Sequence, residues 1–340
     1  MKIATLIVGK ITFKKYIIEE IIRCYDLNNP NTDIFIYNNC STETNEEIIN
    51  CIGEEKFKSV NTIFQTDYEQ ICDLKINEIT AKTKNIISSF KKICINQNII
   101  NNNSISCHVP FKSENFIDNL KKISFHQYYQ LYLGILEIEK YEKKNNFKYD
   151  FIMKIRLDFF LKNNKFGPIH YFNDKNDVLL KSYNNLKYYY DKIEVDDEYY
   201  PNEFRINNYL YWRTTKYLGG QFILNKKSYE EIKSYLKDRG SFNETIKKKF
   251  IITINDACFF GSGDNFKKIV NELYTRYMEF YDENIKFWWT AESQFLLSIL
   301  KNNLFYFDYL QNDNFYNGRE MWVNDYHGIE KYDKEQMKTD

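Results

Sequence analysis

Ile3-Ala4-Thr5-Leu6-Ile7-Val8, closed by Gly9-Lys10, is an unbroken apolar run with a glycine stop. A short apolar run without polar alternation predicts a strand buried on both faces, the setting of an interior strand in a parallel sheet. Outward from it, Phe13, Tyr16, Ile17, Glu20, Ile21 and Tyr25 fall at helical spacing, and Asn28-Asn29-Pro30-Asn31 stops that helix. A second strand is predicted over Asp33-Ile34-Phe35-Ile36-Tyr37, running into Asn38-Asn39-Cys40-Ser41-Thr42. Ser41 or Thr42 can cap a further helix that starts near Glu43. Strand, helix, strand, helix with right-handed crossovers predicts an α/β fold on a parallel sheet. Ligands of such sheets sit beyond the carboxyl ends of the strands.

From about residue 67 to 123 the pattern weakens, and the polar stretch Asn96 to Ser106 reads as a loop or insertion. Phe125 to Lys144 predicts a long amphipathic helix whose apolar side is Tyr128, Leu131, Leu133, Ile135, Leu136, Ile138 and Tyr141. It delivers the chain to a central strand that ends in charge, Tyr149-Asp150-Phe151-Ile152-Met153-Lys154-Ile155-Arg156-Leu157-Asp158. Phe166 to Arg213 is tyrosine-rich and acidic, an excursion expected to flank a cleft. Later come a strand over Tyr217 to Leu224, a helix from Ser228 to Leu236, a strand over Phe250 to Ile254 and a turn at Gly261-Ser262-Gly263-Asp264. A helix through Tyr281 and a last one from near Thr290 to Leu300 follow, then an aromatic and polar tail.

The 340 residues suffice for one large α/β domain or two smaller ones. Lys plus Arg and Asp plus Glu both total 47, so no basic excess is present and a nucleic-acid partner is not expected. Seven scattered cysteines without a Cys-x-x-Cys pair read as reduced thiols. The opening apolar run is too short for a signal peptide, and no run reaches the roughly 18 to 20 residues that cross a bilayer. A cytoplasmic protein without a transmembrane segment is the expectation.

Arg156-Leu157-Asp158 is the sharpest chemical feature. An ionised carboxylate at the mouth of a buried strand is costly unless a cation or hydrogen bonds hold it. A divalent metal bridging a diphosphate meets that need, because hard cations take carboxylate and phosphate oxygens. A partly exposed Arg156–Asp158 ion pair meets it equally well, and the three residues alone do not choose.

Tyr149 to Asp158 resembles the Tyr-Asp, apolar, Arg-x-Asp segment of GT-A glycosyltransferases related to capsular and surface-glycan enzymes, where Arg-x-Asp stands in for the Asp-x-Asp motif. Ile36-Tyr37-Asn38-Asn39-Cys40-Ser41-Thr42 is similar to the segment that cups the nucleotide base in that family, with Asn38 in place of the usual Asp. Gly219-Gly220-Gln221-Phe222-Ile223-Leu224-Asn225 resembles its acceptor-side strand, and Trp288-Trp289-Thr290-Ala291-Glu292-Ser293-Gln294-Phe295-Leu296 resembles its late Glu-x-x-Leu segment. The resemblance implies a GT-A-like, Rossmann-like fold: a mainly parallel central sheet flanked by helices, with a helical or irregular C-terminal elaboration. It implies a donor-binding half over residues 1–165 and an acceptor-binding and catalytic half over 166–340 of one continuous domain. Val8, Gly9, Asn38, Asn39, Arg156 and Asp158 would hold a nucleoside diphosphate sugar. Asp158 and His327 would hold Mn²⁺ or Mg²⁺. Gly219, Gly220, Trp288 and Trp289 would line the acceptor, a glycan or glycoconjugate, with Glu292 or Asp256 as catalytic carboxylates. For Glu292 a helix-start carboxylate, for Asp256 a turn carboxylate, for the tryptophans ordinary core and for His327 a surface histidine are the plainer readings.

Other chemistries lack their marks. The chain has no Gly-x-Gly-x-x-Gly after its first strand, no Walker loop, no Gly-x-Ser-x-Gly elbow and no zinc spacing. A silent sugar- or nucleotide-binding module, and a methyltransferase on a Rossmann-like sheet, remain the alternatives.

Overall fold

The computed structural model describes residues 1–9, 18–38, 42–62, 116–157, 165–172, 234, 244–245, 247–254, 258–279, 295, 298–299, 302 and 304–308, with the backbone alone at 42, 62, 116–127, 254, 275–279 and 305–308. Its elements are β1 (Ile3–Gly9), α1 (Ile18–Tyr25), β2 (Thr32–Asn38), α2 (Thr42–Ile52), β3 (Phe57–Thr62), α3 (Phe116–Asn145), β4 (Phe151–Ile155), α4 (Pro168–Phe172), β5 (Phe250–Ile254), β6 (Cys258–Ser262), α5 (Gly263–Glu279) and β7 (Phe305–Asp308).

The strands form one seven-stranded sheet in the order β3-β2-β1-β4-β6-β5-β7. β1 pairs in parallel with β2 and with β4, β2 with β3, and β5 with β7, whereas β6 runs antiparallel to both β4 and β5. The expected α/β architecture is present, with a mixed sheet in which β6 alone runs against the rest. That sheet joins β4, before residue 165, to β6, after it.

β1 is buried along its length up to Gly9, and every residue of β4 is buried, as an apolar run without alternation requires. The face carrying Ala4, Leu6, Val8, Ile152, Ile251 and Phe259 packs against Tyr128, Leu131, Ile135 and Ile138 of α3 and Phe266, Ile269, Val270 and Leu273 of α5. Phe259 and Phe266 stack with ring centroids 4.9 Å apart. On the opposite face Phe260 meets Phe166, 5.1 Å away, and Tyr171, so the segment following β4 belongs to the core. The helix ends are closed by left-handed residues. Asp26 (φ 53°) follows α1 and Asn146 (φ 53°) follows α3, and the N–H groups of Leu27 and Phe147 return to the carbonyls of Ile22 and Glu142.

Three local expectations are corrected. β3 has no counterpart in the sequence reading, because Phe57-Lys58-Ser59-Val60-Asn61-Thr62 is too polar to announce a strand; pairing with β2 at the sheet edge makes it one. The long helix begins at Phe116, nine residues before the expected Phe125; Phe116, Ile117, Leu120 and Ile123 already fall at helical spacing there. Gly261 and Ser262 are not a turn but the end of β6, where Ile251 of β5 occupies the space a Gly261 side chain would need.

Gly263 then starts α5 with its N–H donated to the Asp150 carbonyl at 2.9 Å. A Cβ there would fall well inside van der Waals contact with the Tyr149 carbonyl oxygen, a backbone atom that cannot rotate away. Gly263→Ala is therefore expected to lower stability by about 1–3 kcal/mol. Urea unfolding should show this as a lower midpoint at unchanged slope. A midpoint equal to wild type would mean that α5 does not pack on the entry to β4.

Candidate functional site

From β1 the chain crosses to β2 and then β3 on one side, and it returns through α3 to β4 on the other side of β1. Reversal of the strand order between β1 and β4 makes their carboxyl ends a topological switch point, where loops diverge and leave a crevice. Three chain ends meet there: Gly9 of β1, Asn38 of β2, which pairs with Gly9, and Arg156-Leu157 after β4.

Gly9 has φ 103°, a conformation that side chains resist, and a Cβ built on it would have no atom of the described residues within 4 Å. Among the described residues, nothing therefore fills the space beside this backbone. Val8, beside it, is buried at 4% exposure within the α3-facing core, so only its main chain can face a ligand. Asn38 is fully buried and exchanges amide hydrogen bonds with Asn45 of α2, donating Nδ2 to Oδ1 at 2.6 Å and accepting from Nδ2 at 3.3 Å. That pairing fixes where β2 turns into α2 and engages the amide expected to meet a base. Arg156 is partly buried, and the next side chain, Leu157, is buried.

Asn39, Asp158, Gly219, Gly220, Asp256, Trp288, Trp289, Glu292 and His327 lie outside the described residues. The chain positions of two of them are bounded by described neighbours. Asp158 follows Leu157 directly, and Asp256 falls in the three-residue link between Ile254 and Cys258, which pair with each other. Phe295, from the segment of Glu292, is buried with its ring 4.4 Å from Phe259.

Sequence reasoning gave no role to two groups close to this end of the sheet. Lys154, one residue before the end of β4, is 1% exposed, with its ammonium 5.4 Å from the Phe259 ring centroid. A lysine inside an apolar run was the available signal, because the strand around it is buried on both faces. Cys258 opens β6 fully buried and shares a 3.1 Å hydrogen bond with the Tyr25 hydroxyl. Burial pushes its thiol up to about 11, against opposing effects of the Tyr25 hydrogen bond, a main-chain hydrogen bond from Arg156 and the charges of Lys154 and Arg156.

Cys258 is accordingly a neutral packing group and not a nucleophile at neutral pH. Because its folded pKa is raised, the stabilisation is complete below the ordinary thiol value near 9 and is lost as pH climbs through about 11. Tyr37, Tyr132 and Tyr149, raised chiefly by burial, add slopes of the same sign at higher pH. The stability difference between wild type and Cys258→Ala is expected to shrink between pH 9 and 11, measured by denaturant unfolding. A constant difference would show that the thiol does not titrate with folding.

What the described groups offer is positive-φ backbone at Gly9 and a guanidinium at the strand mouth, a combination suited to an anion. Among the described residues no group of three or more His, Cys, Asp or Glu gathers as a metal site, and both expected metal ligands fall outside them. No helix among the described residues is long and apolar enough to cross a membrane.

Compared with known protein families, curated proteins and solved structures, the chain matches none.

Proposed function

We propose that the chain is a glycosyltransferase of the GT-A type that moves a sugar from a nucleoside diphosphate sugar to a hydroxyl of a glycan or glycoconjugate. The observation that carries the reading is the switch point between β1 and β4, with the positive-φ backbone of Gly9 on one side and, on the other, Arg156-Leu157 after β4, which Asp158 follows in sequence. A diphosphate is the ligand whose charge and extent suit that mouth. Arg156 pairs with phosphate oxygens through its planar fork, and the main chain around Gly9 approaches the ligand where a side chain would obstruct it. Asn38 acts through the Asn45 clip, holding the β2–α2 corner against which the nucleoside lies. A divalent cation held by Asp158, with His327 as a second ligand, would neutralise the departing diphosphate. Glu292 and Asp256 are the carboxylates proposed for the acceptor side, with Gly219, Gly220, Trp288 and Trp289 lining it.

Thermal-shift screening tests the reading directly. UDP or GDP with Mn²⁺ should raise the unfolding temperature, since a ligand at about 100 times its dissociation constant adds about 2.7 kcal/mol. Stabilisation by an adenosyl cofactor alone would replace the proposal with a methyltransferase. Stabilisation by a sugar nucleotide that is neither hydrolysed nor transferred across a panel of acceptors would leave a binding module.

A further inference from the structure

Across the sheet, the register aligns Leu6 of β1 with Lys154 of β4, Lys154 with Phe259 of β6, and Phe259 with Thr253 of β5. Neighbours in register share a face, and Leu6 lies directly under Gly134 of α3, so the row Leu6-Lys154-Phe259-Thr253 faces the α3 and α5 side. Lys154 and Thr253 are 1% and 0% exposed. They stand on either side of Phe259, about 10 Å apart along the backbone at two strand spacings, and the lysine stem carries its ammonium over the ring between them.

The two donors differ in what they already do. Lys154 is engaged by interactions within the protein, whereas the Thr253 hydroxyl is buried with no hydrogen-bond partner. An orphaned buried hydroxyl costs about 1–3 kcal/mol, a penalty that a bound group would remove. Thr253 precedes the last residue of β5 and Lys154 the last residue of β4, at the same end of the sheet. Each lies one residue, about 3.3 Å of rise, from the end of its strand.

We propose that the Thr253 hydroxyl and the Lys154 ammonium form a donor pair for an oxyanion of the substrate, a phosphoryl or carboxylate group, at the inner floor of the site. It rests on the reading of these strand ends as a sugar-nucleotide site and adds a specificity element to it. The Thr253 and Lys154 side chains are both buried, so an anion between them would feel the ammonium with little screening. Its hydrogen bonds are of the charge-assisted kind.

Thr253→Val keeps shape and removes only the hydroxyl. Its free form should unfold at the wild-type temperature or above it, because an unsatisfied polar group is gone. Its affinity for the cognate anion should nevertheless fall about tenfold or more. Titration calorimetry with inorganic pyrophosphate and, separately, with glucuronate identifies which anion is held: loss confined to pyrophosphate assigns the pair to the donor, and loss confined to glucuronate assigns it to an acidic sugar. Thr5→Val is the control, since the Thr5 hydroxyl is also buried without a partner but faces the other side of the sheet, and its anion binding should match wild type. Lys154→Met should weaken the same anion more strongly than Thr253→Val. Unchanged affinity in Thr253→Val, or no binding of either anion by wild type, overturns the donor pair. Loss of pyrophosphate binding in Thr253→Val by a protein that turns over no sugar nucleotide would instead retain the pair and reject the transferase.

Discussion

Asp158→Asn is expected to lower sugar-nucleotide turnover on the order of 10³-fold while leaving the unfolding temperature nearly unchanged. The amide keeps the size of the carboxylate but cannot neutralise a cation or share it with a diphosphate. Asp158 lies outside the described residues; β4 before it is buried throughout, and Leu157, its neighbour in sequence, is buried. If Asp158 instead forms only an exposed pair with Arg156, its removal would cost at most about 1 kcal/mol of stability and no activity. Initial rates of metal-dependent donor hydrolysis, measured on both proteins at saturating Mn²⁺, separate the two. Turnover equal to wild type rejects the metal role.

The largest expected stability effect is at Glu142. This carboxylate is 6% exposed at the end of α3, where Oε2 accepts from the Lys267 ammonium of α5 and Oε1 accepts from the Tyr149 N–H at 2.9 Å. One side chain thereby ties α3, α5 and the entry to β4. Glu142→Ala leaves a buried ammonium and a buried N–H without their partner, at about 3–5 kcal/mol. For a chain of 340 residues, that is an unfolding temperature lower by roughly 4 to 7 °C. Glu142→Leu combined with Lys267→Met removes the charge together with its counter-charge. The double variant should recover about half of the loss, retaining about 1–3 kcal/mol for the unsatisfied Tyr149 N–H. A double variant no more stable than Glu142→Ala would show that packing between the helices, not the orphaned ammonium, set the cost.

Legibility in the sequence followed burial. β1, β2, β4 and β5 were predicted within one or two residues at most ends because each is an apolar run, and an interior strand of a parallel sheet needs apolar side chains on both faces. The edge strand β3 was not, since water on one side admits Lys58, Ser59 and Asn61 and erases the pattern. Gly261 misled for a related reason: glycine marks turns, yet here it marks a place where Ile251 fills the missing side chain's volume. At the candidate site, the sequence pointed to Gly9 and Arg156. It could not show that Asn38 is engaged by Asn45, seven positions away, nor that Lys154 and Thr253 flank one ring, because both facts depend on register and helix docking.

The order of apolar runs and stops by itself determined that this chain builds an α/β sheet with a charged exit from its central strand. Hydrophobic periodicity is local, and it survives any change of neighbour. Tertiary structure alone decided that β6 turns against the other strands and that β4 lands on the far side of β1 from β2. It also decided which buried polar groups found partners. Those outcomes arise from pairing between segments up to a hundred residues or more apart, whose geometry no local pattern encodes.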